Sequence, residues 1–570
     1  MLTPLDAITF FHFAHIRFAM TAEKSRLLKP APTTEAKHTR GPHHQRHARR
    51  RHEIVPLDQE TLDVASMALQ ISLRQMVRQV MTITDAAFQG HIGTKQLAGV
   101  ALASMWMGVP SAFVQFAIQA ISTLCSQAFG AGNHELVGIW LQTAIVFSVL
   151  GSIPVMIWYM YVGNMIGLTM DDVETVAYGR EFAHVMALGL IPQYVYCALT
   201  AYFAAQGIVI PATICSVVTM GFNVVFNQVL IHGVGGWSGL GFVGSPLATM
   251  ASTVLQLVLF VLYTIVWKEY HKPCWGGWTW ECVKKDRLDV FLALAIPMGA
   301  SAVVDWASAT VAGAFSGYLG PNIAACQAVL NGLFGVVSAF VSGFATATQI
   351  RMSRYLGQGS ARNSKRVYRI GAGLVFVSAI VMLAGVVLWQ RSLFSIWSSD
   401  PVVSAMCSDA IVAFTLCIVI AFGRFLLTAC MNAVSKADLN LVANNIASWL
   451  VFVPLSYVLP IRANWGLSGF WWADALGELL KAAILLYDMS SLDWHAAANE
   501  AQIAAETSLA NDFGDEDEDR ELNAAKNEAL LFTPRTFKSP SINMTMTPPV
   551  TPNDMRRAIG RSRSAANPAV

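Results

Sequence analysis

Charge is what this sequence has least of. Asp, Glu, Lys and Arg make up 13% of the 570 residues, against roughly 25% in soluble domains. The charges present are gathered at the ends. Residues 1–60 hold 10 of the 38 basic and 6 of the 36 acidic groups, and residues 491–570 hold 8 and 12. The stretch between keeps 20 and 18. That scarcity excludes a soluble enzyme of two or three domains. A net charge of +2 gives no general attraction to nucleic acid, and no nucleic-acid partner is expected.

Other chemistry is missing too. Cys125, Cys197, Cys215, Cys326, Cys407, Cys417 and Cys430 lie in or at the ends of apolar stretches, as small hydrophobes do. Cys274 and Cys282 share a polar loop without accompanying zinc-spaced ligands. No metal site, disulfide framework or organic cofactor is expected. No phosphate-cradling glycine loop or other enzyme motif stands out, so neither ATP use nor catalysis is expected. The apolar stretch 7–20 is too short to span and is interrupted by His12, His15 and Arg17. It has no basic leader or clear cleavage site, which speaks against a signal peptide and leaves an interfacial segment.

What is abundant is apolar length. Hydrophobic residues make 54% of the chain and the mean hydropathy is +0.48. Runs long enough to cross a bilayer recur at about 62–86, 97–125, 137–162, 177–205, 209–232, 241–267, 288–316, 323–350, 366–389, 404–433, 438–460 and 466–487. The expectation is an all-α polytopic membrane protein with twelve transmembrane helices. An even count puts both tails on one side. The loops on that side carry Lys268, Lys272, Lys284, Lys285, Arg287, Arg351, Arg354, Arg362, Lys365, Arg366, Arg369 and Lys436. The opposite loops carry only Lys95, Arg391 and Arg462. Both tails are therefore predicted to be cytosolic.

The expected organisation is a disordered basic and His-rich arm over 1–60, a first lobe over 61–270, a second over 271–490, and a disordered tail over 491–570. The His-rich run 39–53 reads as a solvated arm near anionic lipid. The tail holds the acidic run 512–521 and the sites Thr533-Pro534, Ser539-Pro540, Thr547-Pro548 and Thr551-Pro552. Such composition cannot bury a core.

The apolar region repeats itself at a fixed offset in the numbering. Gly90-His91-Ile92-Gly93 returns as Gly317-Tyr318-Leu319-Gly320, an offset of 227, and Gly108-Val109 returns as Gly335-Val336 at the same offset. The polar breaks 126–133 and 353–360 share it, and Gly239-Leu240-Gly241-Phe242 parallels 466–470 within one position. Six spans per repeat is even, so the halves share one orientation. The prediction is two six-helix lobes related by a pseudo-twofold axis along the membrane normal, with a cavity between them.

The runs GHIGTKQLAGVALA (90–103), TLCSQAFGAGNHELVGIWLQ (123–142), AAQGIVIP (204–211), CWGGWTWEC (274–282), IRMSRYLGQGS (350–360) and the ending from 466 to 494 resemble the hallmark segments of the MATE family, the multidrug and toxic compound extrusion transporters. The cysteine-rich second run and the long tails resemble the eukaryotic branch. The resemblance covers roughly 62–494. It implies efflux of organic substrates, usually cationic, driven by inward flow of H⁺ or Na⁺.

Charges inside spans cost about 2.5–3.5 kcal/mol each at a helix centre and survive when paired or wet. Arg74, Arg78 and Asp85 fall on one stripe of the first helix, which must face the interior. Asp85 matches a first-helix aspartate that serves many prokaryotic family members as a cation or proton site. Asp305 lies eight residues after Pro297 and precedes Trp306, which resembles the P-x7-E-W pattern of eukaryotic members. Thr310 stands where that pattern has a second glutamate. Asn223 and Asn227 share the fifth helix; Ile231 stands where some relatives have an aspartate, which favours H⁺ over Na⁺. Gln206 lines the cavity or satisfies a helix end. Arg424 has no local acid, and is expected to pair with Asp305 across the lobes or to meet an anionic substrate. Asp474, Glu478 and Lys481 share a face of the last helix and read as a self-neutralised network.

The expectation is a monomeric secondary antiporter in the plasma or vacuolar membrane, its partners a lipid bilayer and a small organic substrate, with H⁺ or Na⁺ as the coupling ion. Asp85→Asn and Asp305→Asn are each expected to abolish pH-driven efflux. The alternatives are an organic-anion (citrate-like) exporter, which the arginines favour, and a lipid-linked flippase, which the hallmark runs disfavour.

Overall fold

The computed structural model describes residues 57–505, apart from 169 and 396–399. The basic arm with its 7–20 and 39–53 segments, the acidic run and the Thr-Pro and Ser-Pro sites lie outside the described residues. The chain divides at Asp63. Residues 57–63 are helical, and every contact described below lies within the unit Val64–Val570.

Among the described residues twelve long helical rods follow one another, with the short helices Gln390–Phe394 and Pro401–Asp409 between the ninth and the tenth: α1 Leu57–Ile92, α2 Thr94–Ala131, α3 His134–Gly167, α4 Val173–Ala187 with Leu190–Ala205, α5 Ile210–His232, α6 Gly241–Trp267, α7 Lys285–Tyr318, α8 Pro321–Gly357, α9 Ala361–Leu388, α10 Ile411–Ala433, α11 Ala437–Arg462 and α12 Gly466–Ser491. In lipid every backbone N–H and C=O must be satisfied within the segment, so apolar runs of this length become helices. Nine of the described rods are long and apolar enough to cross a membrane, and the two pieces of α4, bent by 48°, make a tenth. The two rods that fall short, α1 and α12, carry Arg74, Arg78 and Asp85, and Asp474, Glu478 and Lys481.

Two apolar cores form, and they exchange parts. The first gathers α2–α6 with Phe291, Leu294, Ala295 and Met298 from the start of α7. The second gathers α8–α12 with Val64, Met67, Ala68 and Ile71 from α1. Taken in order, these residues form four pairs at the offset of the sequence repeat. The opening helix of each half thus anchors one flank in the core of the other, which no single-half boundary in the sequence conveys.

The same offset governs where the halves touch. Gly130 lies so close to the Arg354 carbonyl oxygen that a Cβ there would collide with it, and Gly357 meets the Gln127 carbonyl oxygen in the same way. Gly108 faces the Trp306 ring as Gly335 faces the Gln79 amide. Gly299 presses on the Phe113 carbonyl, while Ser72 Oγ donates to that of Phe340 at 2.5 Å. Each of these contacts has its counterpart one repeat further along the chain, as a twofold axis requires.

Further bridges lie at the end of the bundle that carries the basic loops. Thr123 donates to the Asn432 carbonyl at 3.1 Å, Gln127 to that of Ala433 at 3.0 Å, and Gln349 to Thr123 at 3.0 Å. The tail, expected without structure from 491, begins with a helix over 494–505. Its Trp494, Ala498, Ala501 and Ala505 are buried, and Asn133 donates to the Ala505 carbonyl at 3.1 Å. The loop joining the halves docks on α3: Gln142 donates to the Gly277 carbonyl at 2.6 Å and accepts from Thr279 N–H at 2.9 Å. Burial pushes the Cys274 thiol in that loop up to about 11. Trp278 and Trp280 stand exposed there, as interfacial anchors do.

Candidate functional site

The interior charges of the first half sit on α1. At 100° per residue Arg74, Arg78 and Asp85 share a stripe, and the neighbours confirm that it faces the interior of that half. Asp85 is 9% exposed. Its Oδ1 accepts from Asn227 Nδ2 on α5 at 2.8 Å, and its Oδ2 from Thr249 Oγ1 on α6 at 2.8 Å. Asn227 also donates to the Asn223 carbonyl at 3.0 Å. Both asparagines are wholly buried, and Asn223 Nδ2 and Asn227 Oδ1 have no partner. One turn further on, Gln89 donates to Ser245 on α6 at 3.1 Å. Among the described residues no cation meets Asp85. The sequence picked out Asp85, Asn223 and Asn227 separately; the structure joins them. Thr249 was missed, since a threonine on an apolar helix carries no signal of its own.

Arg78 reaches α2. With its amide turned oxygen first, Gln115 accepts from both terminal guanidinium nitrogens, Nη1 at 3.1 Å and Nη2 at 3.2 Å. Arg74 has no hydrogen-bond or ion-pair partner among the described residues. Tyr196 and Cys197 of α4 lie within electrostatic reach of both arginines. Gln119 donates to Cys197 Sγ at 3.0 Å, and Tyr196, Ser216 and Gln256 form a polar chain alongside.

In the second half the charges answer one another. Arg424 of α10 donates to Glu478 of α12, Nε to Oε2 at 2.7 Å, with a second bond of 3.3 Å to Oε1. Lys481 Nζ bridges Glu478 Oε1 at 3.1 Å and Asp305 Oδ1 of α7 at 2.9 Å. Cys417 donates to Asp474 at 3.2 Å. This corrects the expectation for Arg424. Its acid is Glu478, two rods further along the chain and in the same half, and Asp305 is held by Lys481. The α12 charges are not self-contained either, because Asp305 and Arg424 complete them.

The remaining candidates stay on their own helices. Gln206 donates to the Tyr202 carbonyl at 3.3 Å, closing the end of α4. Thr310 donates to the Trp306 carbonyl at 2.9 Å.

Two stretches of the chain, 71–229 and 297–458, match the family model described as MatE. They cover more than half of it, one in each half. The chain belongs to the MatE family. Among curated MatE relatives, multidrug and toxin extrusion protein 1 of Xenopus tropicalis is 26% identical over 477 residues, 82% of this chain and 80% of the relative. The human protein of that name is 23% identical over 445 residues, 77% of this chain and 76% of the relative. Among solved structures the eukaryotic MATE transporter AtDTX14 superposes with a TM-score of 0.73 at 21% identity, over 79% of this chain and 99% of that one. The MatE fold accounts for the twelve rods and the two lobes, and the chain is an integral multi-pass membrane protein.

Proposed function

We propose that this MatE-family chain is a secondary antiporter that exports organic compounds in exchange for protons, by alternating access between its halves. It acts by carrying solutes, not as an enzyme. The observation that carries the reading is Asp85: a carboxylate inside a span, held by two neutral donors and no cation. An ionised carboxylate in that setting is costly without a compensating charge. A proton or a cationic group of a substrate supplies it, and the two compete for one acid. Such competition is the requirement for exchange.

Ile231, standing where some family members carry an aspartate on the fifth helix, favours H⁺ over Na⁺. The relatives named for multidrug and toxin extrusion support export of xenobiotic-like compounds. Asp305 is a second coupling candidate, weaker because Lys481 already compensates it. Hydrogen bonds between the halves gather at the basic end and at mid-depth; with that end cytosolic, as the loop charges suggest, this is an outward-facing state in the plasma or vacuolar membrane.

The test is reconstitution of the full chain in proteoliposomes with an imposed pH gradient and a panel of charged organic dyes. Wild-type chain is expected to drive dye against its gradient when protons flow inward, and Asp85→Asn to lose this while still folding. Wild-type rates in Asp85→Asn, or equal drive from a Na⁺ gradient at fixed pH, would overturn the proposal.

A further inference from the structure

Each half is followed by a segment that folds back on the basic end of the bundle. After α6 the loop 268–284 lies on α3 of its own half. There a Cβ at Gly138 would strike the Cys274 carbonyl oxygen, and Thr143 donates to the Cys282 carbonyl at 3.0 Å. After α12, one repeat later in the numbering, the helix over 494–505 lies on α9 in the same way. Asp493 caps it by accepting from the N–H groups of His495 and Ala496 at 2.9 and 3.2 Å. Trp494 packs beside Tyr368 of α9 with ring centres 6.0 Å apart, and Trp494, Ala498 and Ala501 enter the second core. The Gln502 amide lies so close over Gly359 that a Cβ there would collide with it.

The second segment then does more than hold its own half. At its far end the Ala505 carbonyl accepts from Asn133 Nδ2 at 3.1 Å, in the first half. Asn133 is buried, and its oxygen accepts from Leu136 N–H at 3.0 Å to cap α3. Asn133 and Ser360 are equivalent positions of the repeat, each closing a polar break. The helix thus runs from one break to the other, across the seam where Gly130 meets Arg354 and Gly357 meets Gln127. Its residues form a rod about 18 Å long. An apolar face fixes the rod to the second half, and a neutral hydrogen bond, weak enough to be exchanged, fastens it to the first. When the halves part at this end, Asn133 must release Ala505 or the rod must leave its core. Either event adds a cost to opening the basic end and none to opening the opposite end.

We infer that the 494–505 helix is a strap that holds the basic end of the bundle closed and lets go of Asn133 each time that end opens. This rests on the alternating access proposed above and adds a control on it.

The test reads the seam directly in the full chain. Thr123 is wholly buried there, donating to the Asn432 carbonyl and accepting from Gln349. In Thr123→Cys the new thiol reacts with a water-soluble maleimide when the basic end opens, and the unmodified chain gives the background of its own buried cysteines. Adding Asn133→Asp keeps a cap for α3 and removes the donor to Ala505. Labelling is then expected to run about fivefold faster, the value of one hydrogen bond, with the unfolding temperature unchanged. Adding Asn133→Cys and Ala505→Cys instead, bridged beforehand by a short bis-methanethiosulfonate, should bring labelling at position 123 to background, and reduction should restore it. Unchanged labelling with Asn133→Asp, or full labelling of the bridged protein, overturns the strap and leaves the antiporter standing. Faster labelling with a marked drop in unfolding temperature is general loosening and overturns it as well. If Asn133→Asp fails to fold, the bridged and reduced forms decide. Absence of proton-driven dye export by the wild-type chain overturns the antiporter instead; labelling needs no substrate and still decides the strap.

Discussion

The two halves share a fold and use interior charge in opposite ways. In the second half four charged groups from α7, α10 and α12 close into a connected set, and each cation there has a carboxylate within 3.1 Å. In the first half one acid and two bases lie on a single helix without answering one another. A closed network holds helices together and gains little from a visiting ion. An unanswered carboxylate or guanidinium is costly to keep and changes its surroundings when a proton or ligand arrives. The contrast therefore separates a braced half from a responsive one.

Breaking Asp85 should have the largest effect. Asp85→Asn keeps the size of the side chain and removes the exchangeable charge, so proton-driven efflux should fall to background while thermal unfolding in detergent changes little. Next comes Glu478→Gln, which strips Arg424 and Lys481 of their shared acid inside the bundle. Removing one partner of a buried ionic set costs about 3–5 kcal/mol, so a large drop in unfolding temperature and poor recovery of folded protein are expected. Asp305→Asn sharpens the comparison further. Lys481 keeps Glu478, so a smaller loss of stability, about 1–2 kcal/mol, should accompany measurable proton-driven exchange; complete loss of exchange in a stable Asp305→Asn protein would make the second half responsive too. The smallest effect is expected from Thr249→Val, which removes one of two neutral donors to Asp85. A severalfold slower exchange, with folding intact, would show that the first half is tuned by its hydrogen bonds.

Most of the fold was legible in the sequence, because bilayer length and a repeat at a fixed offset are both one-dimensional signals. The offset of 227 reappears as paired contacts down to Gly130 and Gly357. Span ends were less legible: α1 runs from Leu57 to Ile92, well past the apolar stretch 62–86, because its polar flanks remain helical. The site was legible only residue by residue. That Asp85, Asn227 and Thr249 meet depends on how α1, α5 and α6 pack, and no spacing encodes that. The partner of Arg424 was missed for a similar reason. Glu478 looked satisfied by Lys481, less than one helical turn away, and a lysine able to serve two acids looks like one that serves the nearer. The cost of an unpaired arginine in a span was the available clue, and it pointed to some acid without saying which.

The reciprocal contacts of Gly130 with Arg354 and of Gly357 with Gln127 have the form of the interface between two identical subunits. Here both partners lie in one chain, joined by the docked loop between α6 and α7. A true homodimer must place the same residue at both equivalent positions, so a wall that is basic on one side is basic on the other. Fusion lifts that restriction. Position 78 carries arginine and its equivalent, 305, carries aspartate; position 85 carries aspartate and its equivalent, 312, carries alanine. The covalent link is thus what permits a symmetric frame to hold an asymmetric set of charges.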